Sequence, residues 1–257
     1  MGTDLKLEIG TLYAFLLVLV RVSGVFVFVP LPGINAGPGI IRVALSASIT
    51  LALMPLWPPI PSAGLSFGTL VGWILIEAGL GIGVGIAVAF LGEIFQMGAQ
   101  ILSLQAGYSF ASTIDPTSGA DSSVLLAIAQ TAAGLLFFAT GLDHQVLQAF
   151  GQSLRVHPPG HVVLNASMLN QVVQTGSVMF STGLRLVLPI LAMLLIVDIS
   201  LALLGRLNSQ LQLITLAFPI KMLVSVALLA WLVLVFPQVL IQASAPILRL
   251  IRQLLIG

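Results

Sequence analysis

Residues 67–102 read FGTLVGWILIEAGLGIGVGIAVAFLGEIFQMGAQIL, and this stretch decides the class of fold. A helix crosses a bilayer in about 20 apolar residues, and the run is longer than that. Glu77 and Glu93 are its only charged residues. Its length fits one span with extra turns, or two shorter helices joined by a tight reversal. Inside it, Gly79/Gly83 and Gly81/Gly85 form two overlapping small-xxx-small pairs, with Gly68/Gly72 upstream. Glycines four residues apart strip side chains from one helix face and let another helix approach closely. The competing reading is conformational freedom at a gate, because each glycine also weakens a helix by up to about 1 kcal/mol. A nucleotide site is not indicated, since no strand precedes the glycines and no Lys-Ser/Thr follows them.

The rest of the chain carries the same signature. Of 257 residues, 58% are hydrophobic and 7% charged, against roughly 25% charged in a soluble domain, and the mean hydropathy is +1.15. Lipid or apolar protein must cover much of this surface. Nine basic and eight acidic residues give a net charge of +1, with no basic stripe for nucleic acid. The absence of cysteine excludes disulfides, thiolate metal sites and cysteine nucleophiles. Further apolar runs occupy Ile9–Pro30, Ile40–Leu56, Val124–Leu142, Val178–Leu204 and Leu211–Ile241. The first residues, with Asp4, Lys6 and Glu8, lack the basic region and cleavage site of a signal peptide, so the first run is expected to be retained.

Between the runs lie segments of different chemistry. Pro30–Pro38 and Trp57-Pro-Pro-Ile-Pro61 are proline breaks that cannot be mid-helix. Ser103–Ser123 is polar, free of basic residues and contains Asp115-Pro116; Asp143–Ser177 holds all three histidines. Both read as loops. Pro246–Gly257 reads as a short amphipathic helix, with Ile247, Leu250, Ile251, Leu254 and Leu255 on one face. Arg249 and Arg252 weakly favour a cytoplasmic C-terminus.

Arg21, Arg42, Glu77, Glu93, Arg185, Asp198 and Lys221 fall within or at the ends of apolar runs, where a lipid-facing charge is costly. One reading is an ion or proton path through Glu77 and Asp198. The other is ion pairs and helix-end positions. So many charges also suggest that these helices lie partly inside a protein assembly. Pro158-Pro159 prevent His157 and His161 from sharing a helix face, so a metal pair is not indicated. No HExxH, GxSxG or polar carboxylate pair is present, and nothing implies a cofactor, so the chain is expected not to be an enzyme.

Four ordered blocks carry a family resemblance. They are Arg21-Val-Ser-Gly24 with Pro30-Leu-Pro-Gly33 and Pro38-Gly-Ile-Ile-Arg42; Gly92-Glu93 with Gln105-Ala-Gly107-Tyr-Ser-Phe110-Ala and Asp115-Pro116; Leu204-Gly-Arg206-Leu-Asn208-Ser-Gln210-Leu; and Phe218-Pro-Ile-Lys221. Together they resemble the FliR/SctT family of type III secretion export-gate proteins over nearly the whole chain.

The resemblance implies an all-α, multi-helix membrane subunit of long kinked helical hairpins. It implies a single domain over 1–257, FliP-like over about 1–205 and FliQ-like over about 206–257. Implied partners are FliP-like and FliQ-like gate subunits, FlhB- and FlhA-like proteins, unfolded flagellar proteins in transit and membrane lipid, in the bacterial inner membrane. The segment Gln105–Ser122 is similar to the family's plug loop, with Phe110 filling the constriction, Asp115-Pro116 fixing the turn and Gly107 allowing close backbone approach. An ordinary inter-helix loop is the competing reading. Gly79 and Gly83 are expected at helix contacts, and Arg206, Asn208 and Gln210 at inter-subunit hydrogen bonds or in a plain polar turn. An injectisome SctT-type subunit shares the blocks, and a secondary transporter using Glu77 or Asp198 is the alternative of a different class.

Overall fold

The computed structural model describes residues 9–29, 39–60, 65–108, 124–160, 166–207 and 213–256. Among these there are seven α-helices and no strand. They are α1 (Ile9–Phe28), α2 (Ile40–Ala52), α3 (Phe67–Ala106), α4 (Val124–Ala139), α5 (Leu142–Val156), α6 (Ala166–Leu207) and α7 (Leu213–Ile256), with a single 3-10 turn at Met54–Leu56 after α2. The protein is all-α, as its apolar runs predict. Helices α1, α3, α6 and α7 are long and apolar enough to cross a membrane, and α4 with α5 can supply a fifth span.

Residues 67–102 form one helix, not a reversal. Helix α3 runs for 40 residues, about 60 Å at 1.5 Å per residue and roughly twice the hydrocarbon thickness. Nothing in the run breaks it, because glycine weakens a helix but keeps its N–H donor. Gly107, with φ of 84°, stops it in the left-handed conformation that commonly ends a helix.

Two segments read as separate or non-helical are in fact helical. Most of Asp143–Ser177 belongs to α5 and to the start of α6. Its moderate hydropathy hides a regular stripe: Leu142, Val146, Ala149, Phe150 and Leu154 are buried, with Asp143 in the first turn and Arg155 in the last. Both charges complement the helix dipole. Gly141, with φ of 69°, separates α5 from α4. Pro246–Gly257 is likewise not a free amphipathic helix. Through Ile256 it is the end of the 44-residue α7, which passes Pro219, Pro237 and Pro246 without ending. The apolar face expected there is present, with Ile247, Leu250, Ile251, Leu254 and Leu255 buried.

The Trp57-Pro58-Pro59 break is a rigid turn, as expected. Trp57 is extended, its Nε1–H donates to the Thr50 carbonyl at 3.1 Å, and its ring lies 5.6 Å from that of Phe15. Ser46 and Thr50 donate back to the carbonyls of Arg42 and Ser46, which satisfies hydroxyls inside an apolar helix.

The chain divides into two compact units. The first holds residues 1–90, 141–176 and 244–257; the second holds 91–140 and 177–243. In the first, α1 buries Leu17, Val18 and Val22, and α3 buries Leu80, Val84 and Val88. In the second, α4 buries Leu125, Ala129, Ala133 and Phe137 at four-residue spacing, while Phe95 and Phe236 meet with ring centroids 4.5 Å apart.

Candidate functional site: two ion-paired clusters and a glycine contact

In the first unit, Arg21 of α1 and Glu77 of α3 are both fully buried, at 0% exposure. Arg21 Nε donates to Glu77 Oε2, and Nη2 donates to Oε1 at 2.9 Å. Nη1 donates to Ser153 Oγ at 3.1 Å on α5, and both terminal nitrogens reach the His157 carbonyl at 3.3 and 3.4 Å. Guanidinium has five N–H donors, and five acceptor contacts use them. Glu77 Oε1 also accepts the Gly160 N–H at 3.2 Å. The pair therefore holds the His157-Pro158-Pro159-Gly160 turn through its backbone. Two carboxylate oxygens occupied in this way, with no water access, suit a structural ion pair, in which burial is offset by fork geometry and full hydrogen bonding.

Gly160 has φ of 89°, and a Cβ there would lie 2.7 Å from the Trp73 ring. Gly160→Ala is expected to cost about 1–3 kcal/mol through left-handed strain and ring displacement. A lowered thermal midpoint of the detergent-solubilised protein checks this, and an unchanged midpoint would contradict the turn geometry.

In the second unit, Lys221 Nζ of α7 pairs with Asp198 Oδ1 of α6, with side chains 20% and 29% exposed. Gln105 Nε2, in the last turn of α3, donates to Asp198 Oδ2 at 3.1 Å. Tyr108 Oη lies 3.5 Å from the Met222 carbonyl. Three helices thus meet at one charged point. Gln105 belongs to it, although the sequence suggested only the plug segment for that residue.

Glu93 and Arg185 lie on exposed faces of α3 and α6, and Arg42 donates to the Val27 carbonyl at 2.6 Å. Arg206 is exposed in the last turn of α6, where a cation complements the helix dipole. Phe110, Asp115, Pro116, Asn208 and Gln210 lie outside the described residues. No group of three or more His, Asp or Glu is placed to hold a metal among the described residues.

The glycine contact falls on one of the two overlapping pairs. Gly79 and Gly83 are half-buried, and a Cβ on Gly83 would only touch the Leu254 side chain, at 3.8 Å. Gly81 and Gly85 instead meet Gly24 of α1 backbone to backbone. The sequence flagged the spacing but could not choose the face. Ser153 and the 157–160 turn were not foreseen as partners of the charges. A cavity of about 280 Å³ lies between the start of α1 (Gly10, Thr11, Ala14) and the Met54–Ile60 turn, with no ionisable residue in its lining.

Comparison with known proteins accords with the resemblance read in the sequence. The chain is similar to the flagellar biosynthetic protein FliR of Escherichia coli (strain K12), 29% identical over 213 residues that cover 82% of this chain and 81% of the relative. The corresponding protein of Caulobacter vibrioides is 27% identical over 222 residues, covering 85% and 87%. That of Bacillus subtilis (strain 168) is 25% identical over 219 residues, covering 84% of each. The family described as bacterial export proteins, family 1, matches residues 12–246. With its all-α fold and multiple spans, the chain belongs to this family of bacterial export proteins.

Proposed function

We propose that this chain is a structural subunit of the flagellar type III protein export gate, helping to build and close the channel through which unfolded flagellar proteins leave the cell. The observation that carries this reading is the family match over residues 12–246, joined by relatives named flagellar biosynthetic protein FliR that align over more than four fifths of the chain. The uncovered apolar surface supports it. In the most apolar window of α6 only 17% of residues are buried, and Leu188, Met193, Leu195, Ile196 and Ile199 are exposed. Such a face is covered by lipid or by neighbouring subunits. FliP-like and FliQ-like subunits are the proposed neighbours, with FlhA- and FlhB-like proteins alongside, in the bacterial inner membrane. Residues 1–205 take the FliP-like role and 206–257 the FliQ-like role. The chain is a structural component rather than an enzyme, and the flagellar names of the relatives favour the flagellum over the injectisome.

Within this reading, the segment after α3 closes the resting channel, with Phe110 in the constriction, while Asn208 and Gln210 hydrogen-bond to a neighbouring subunit. The test deletes residues 110–120, sparing Gln105 and Tyr108, which are tied to α6 and α7. The variant should still co-purify with FliP-like and FliQ-like chains but make the membrane leaky to small solutes. An assembled complex with unaltered permeability would refute the plug. Recovery of the native chain as a lone monomer, or normal swimming after its gene is deleted, would refute the export role itself.

A further inference from the structure

Helix α3 offers α1 several similar places to dock. Small residues recur on it at Gly79, Gly81, Gly83, Gly85, Ala87 and Ala89. In the structure Gly24 of α1 lies between Gly81 and Gly85. A Cβ on Gly24 would be 2.9 Å from the Gly81 carbonyl carbon, and one on Gly85 would be 2.9 Å from the carbonyl oxygens of Gly24 and Val25. A displacement of two residues along α3, with rotation, would set Gly24 between Gly79 and Gly83. A slide of four would set it between Gly85 and Ala89. Each site offers a face of small side chains, and among lipid-immersed helices such faces attract by close packing alone. Glycine contacts therefore discriminate weakly between these registers.

The ion pair is not repeated along the helices. Arg21 is one turn from Gly24 on α1, and Glu77 is one turn from Gly81 on α3. In the observed register they form a fork at 0% exposure and share the His157–Gly160 turn. A four-residue slide of α1 parts them by about 6 Å, takes Arg21 off the turn and leaves two buried charges unpaired. Ion pairs of this kind add little net stability over apolar side chains of similar size, and in some proteins a buried polar group fixes register instead.

We propose that Arg21 and Glu77, with the turn they hold, form a register lock that selects one of several glycine-lined dockings of α1 on α3. Both are positioning residues, and their role is selection rather than net stabilisation.

Spin labels at Leu12 on α1 and Ile82 on α3, which are 52% and 40% exposed, test this by electron–electron distance measurement on the full chain. The chain has no cysteine, so introduced cysteines carry the only labels. Without further substitution the pair should give one narrow distance. In Arg21→Met/Glu77→Met the protein should fold and show a second distance, displaced by up to about 6 Å for a four-residue slide and by an amount set also by the helix rotation for a two-residue step. Arg21→Gln/Glu77→Gln, neutral and closer in polarity, is the second variant. One unchanged narrow distance in a folded variant overturns the proposal. Failure of both variants to fold also overturns it, because a device for selection should be replaceable without loss of stability.

Discussion

Arg21→Met alone should destabilise the protein by about 3–5 kcal/mol, the usual cost of removing one partner from a buried pair. The substitution leaves Glu77 fully buried, with only the Gly160 N–H still bonded to it, and strips both terminal-nitrogen contacts from the His157 carbonyl. Folded domains are stable by only about 5–15 kcal/mol, so the single variant should accumulate poorly and unfold at much lower temperature. Adding Glu77→Met removes the orphaned charge and should restore most of the loss, which a double-mutant cycle on the solubilised chain would register as strong coupling. Lys221→Met is the internal contrast. Its pair with Asp198 is only partly buried and Gln105 still donates to the carboxylate, so the expected loss is smaller than that of Arg21→Met. Equal effects of Arg21→Met and Lys221→Met would sink the distinction between the two clusters.

Gly81→Leu should be at least as damaging as the top of the roughly 1–3 kcal/mol range for overpacking. A Cβ at this position would fall on the Arg21 carbonyl oxygen and lie 3.1 Å from the Gly24 Cα. Those atoms are backbone and have no rotamer to escape into. Helix α1 must lift away from α3, and the Arg21–Glu77 fork one turn below then opens as well. Gly72→Ala on the same helix is the control. Nothing lies within 4 Å of its Cβ position, and alanine favours helix over glycine by up to about 1 kcal/mol. The thermal midpoint of Gly72→Ala should hold or rise while that of Gly81→Leu collapses. Similar midpoints for the two would mean that the helices do not approach closely at Gly81.

The length of α3 and the presence of packing glycines were legible because both depend on local composition and spacing. The surplus of charge in apolar runs was legible too, since the energetic cost of each charge requires a partner. The partners were not. Glu77 lies 56 positions from Arg21, and the Ser153 contact spans 132; no periodicity links such distant residues. Helix α5 was obscured for a different reason. Its stripe of Leu142, Val146, Phe150 and Leu154 is diluted by Asp143, His144, Gln145, Gln148 and Gln152, so mean hydropathy is low while one face is still apolar. Prolines misled in the opposite direction. Pro246 marked a plausible helix start, yet α7 runs through it, because the lost N–H bond is tolerated where neighbouring packing holds the helix together.

By itself, the sequence determined that this is a membrane protein made of long helices, because hydropathy and glycine spacing are properties of contiguous residues, and its ordered blocks pointed to the bacterial export family. Only the tertiary structure decided that Gly81 and Gly85 face α1 while Gly83 meets Leu254, and that Arg21 pairs with Glu77 and Lys221 with Asp198. Rotation about a helix axis and pairing of distant charges arise when several helices pack at once, and a face or a partner has no meaning until that packing exists.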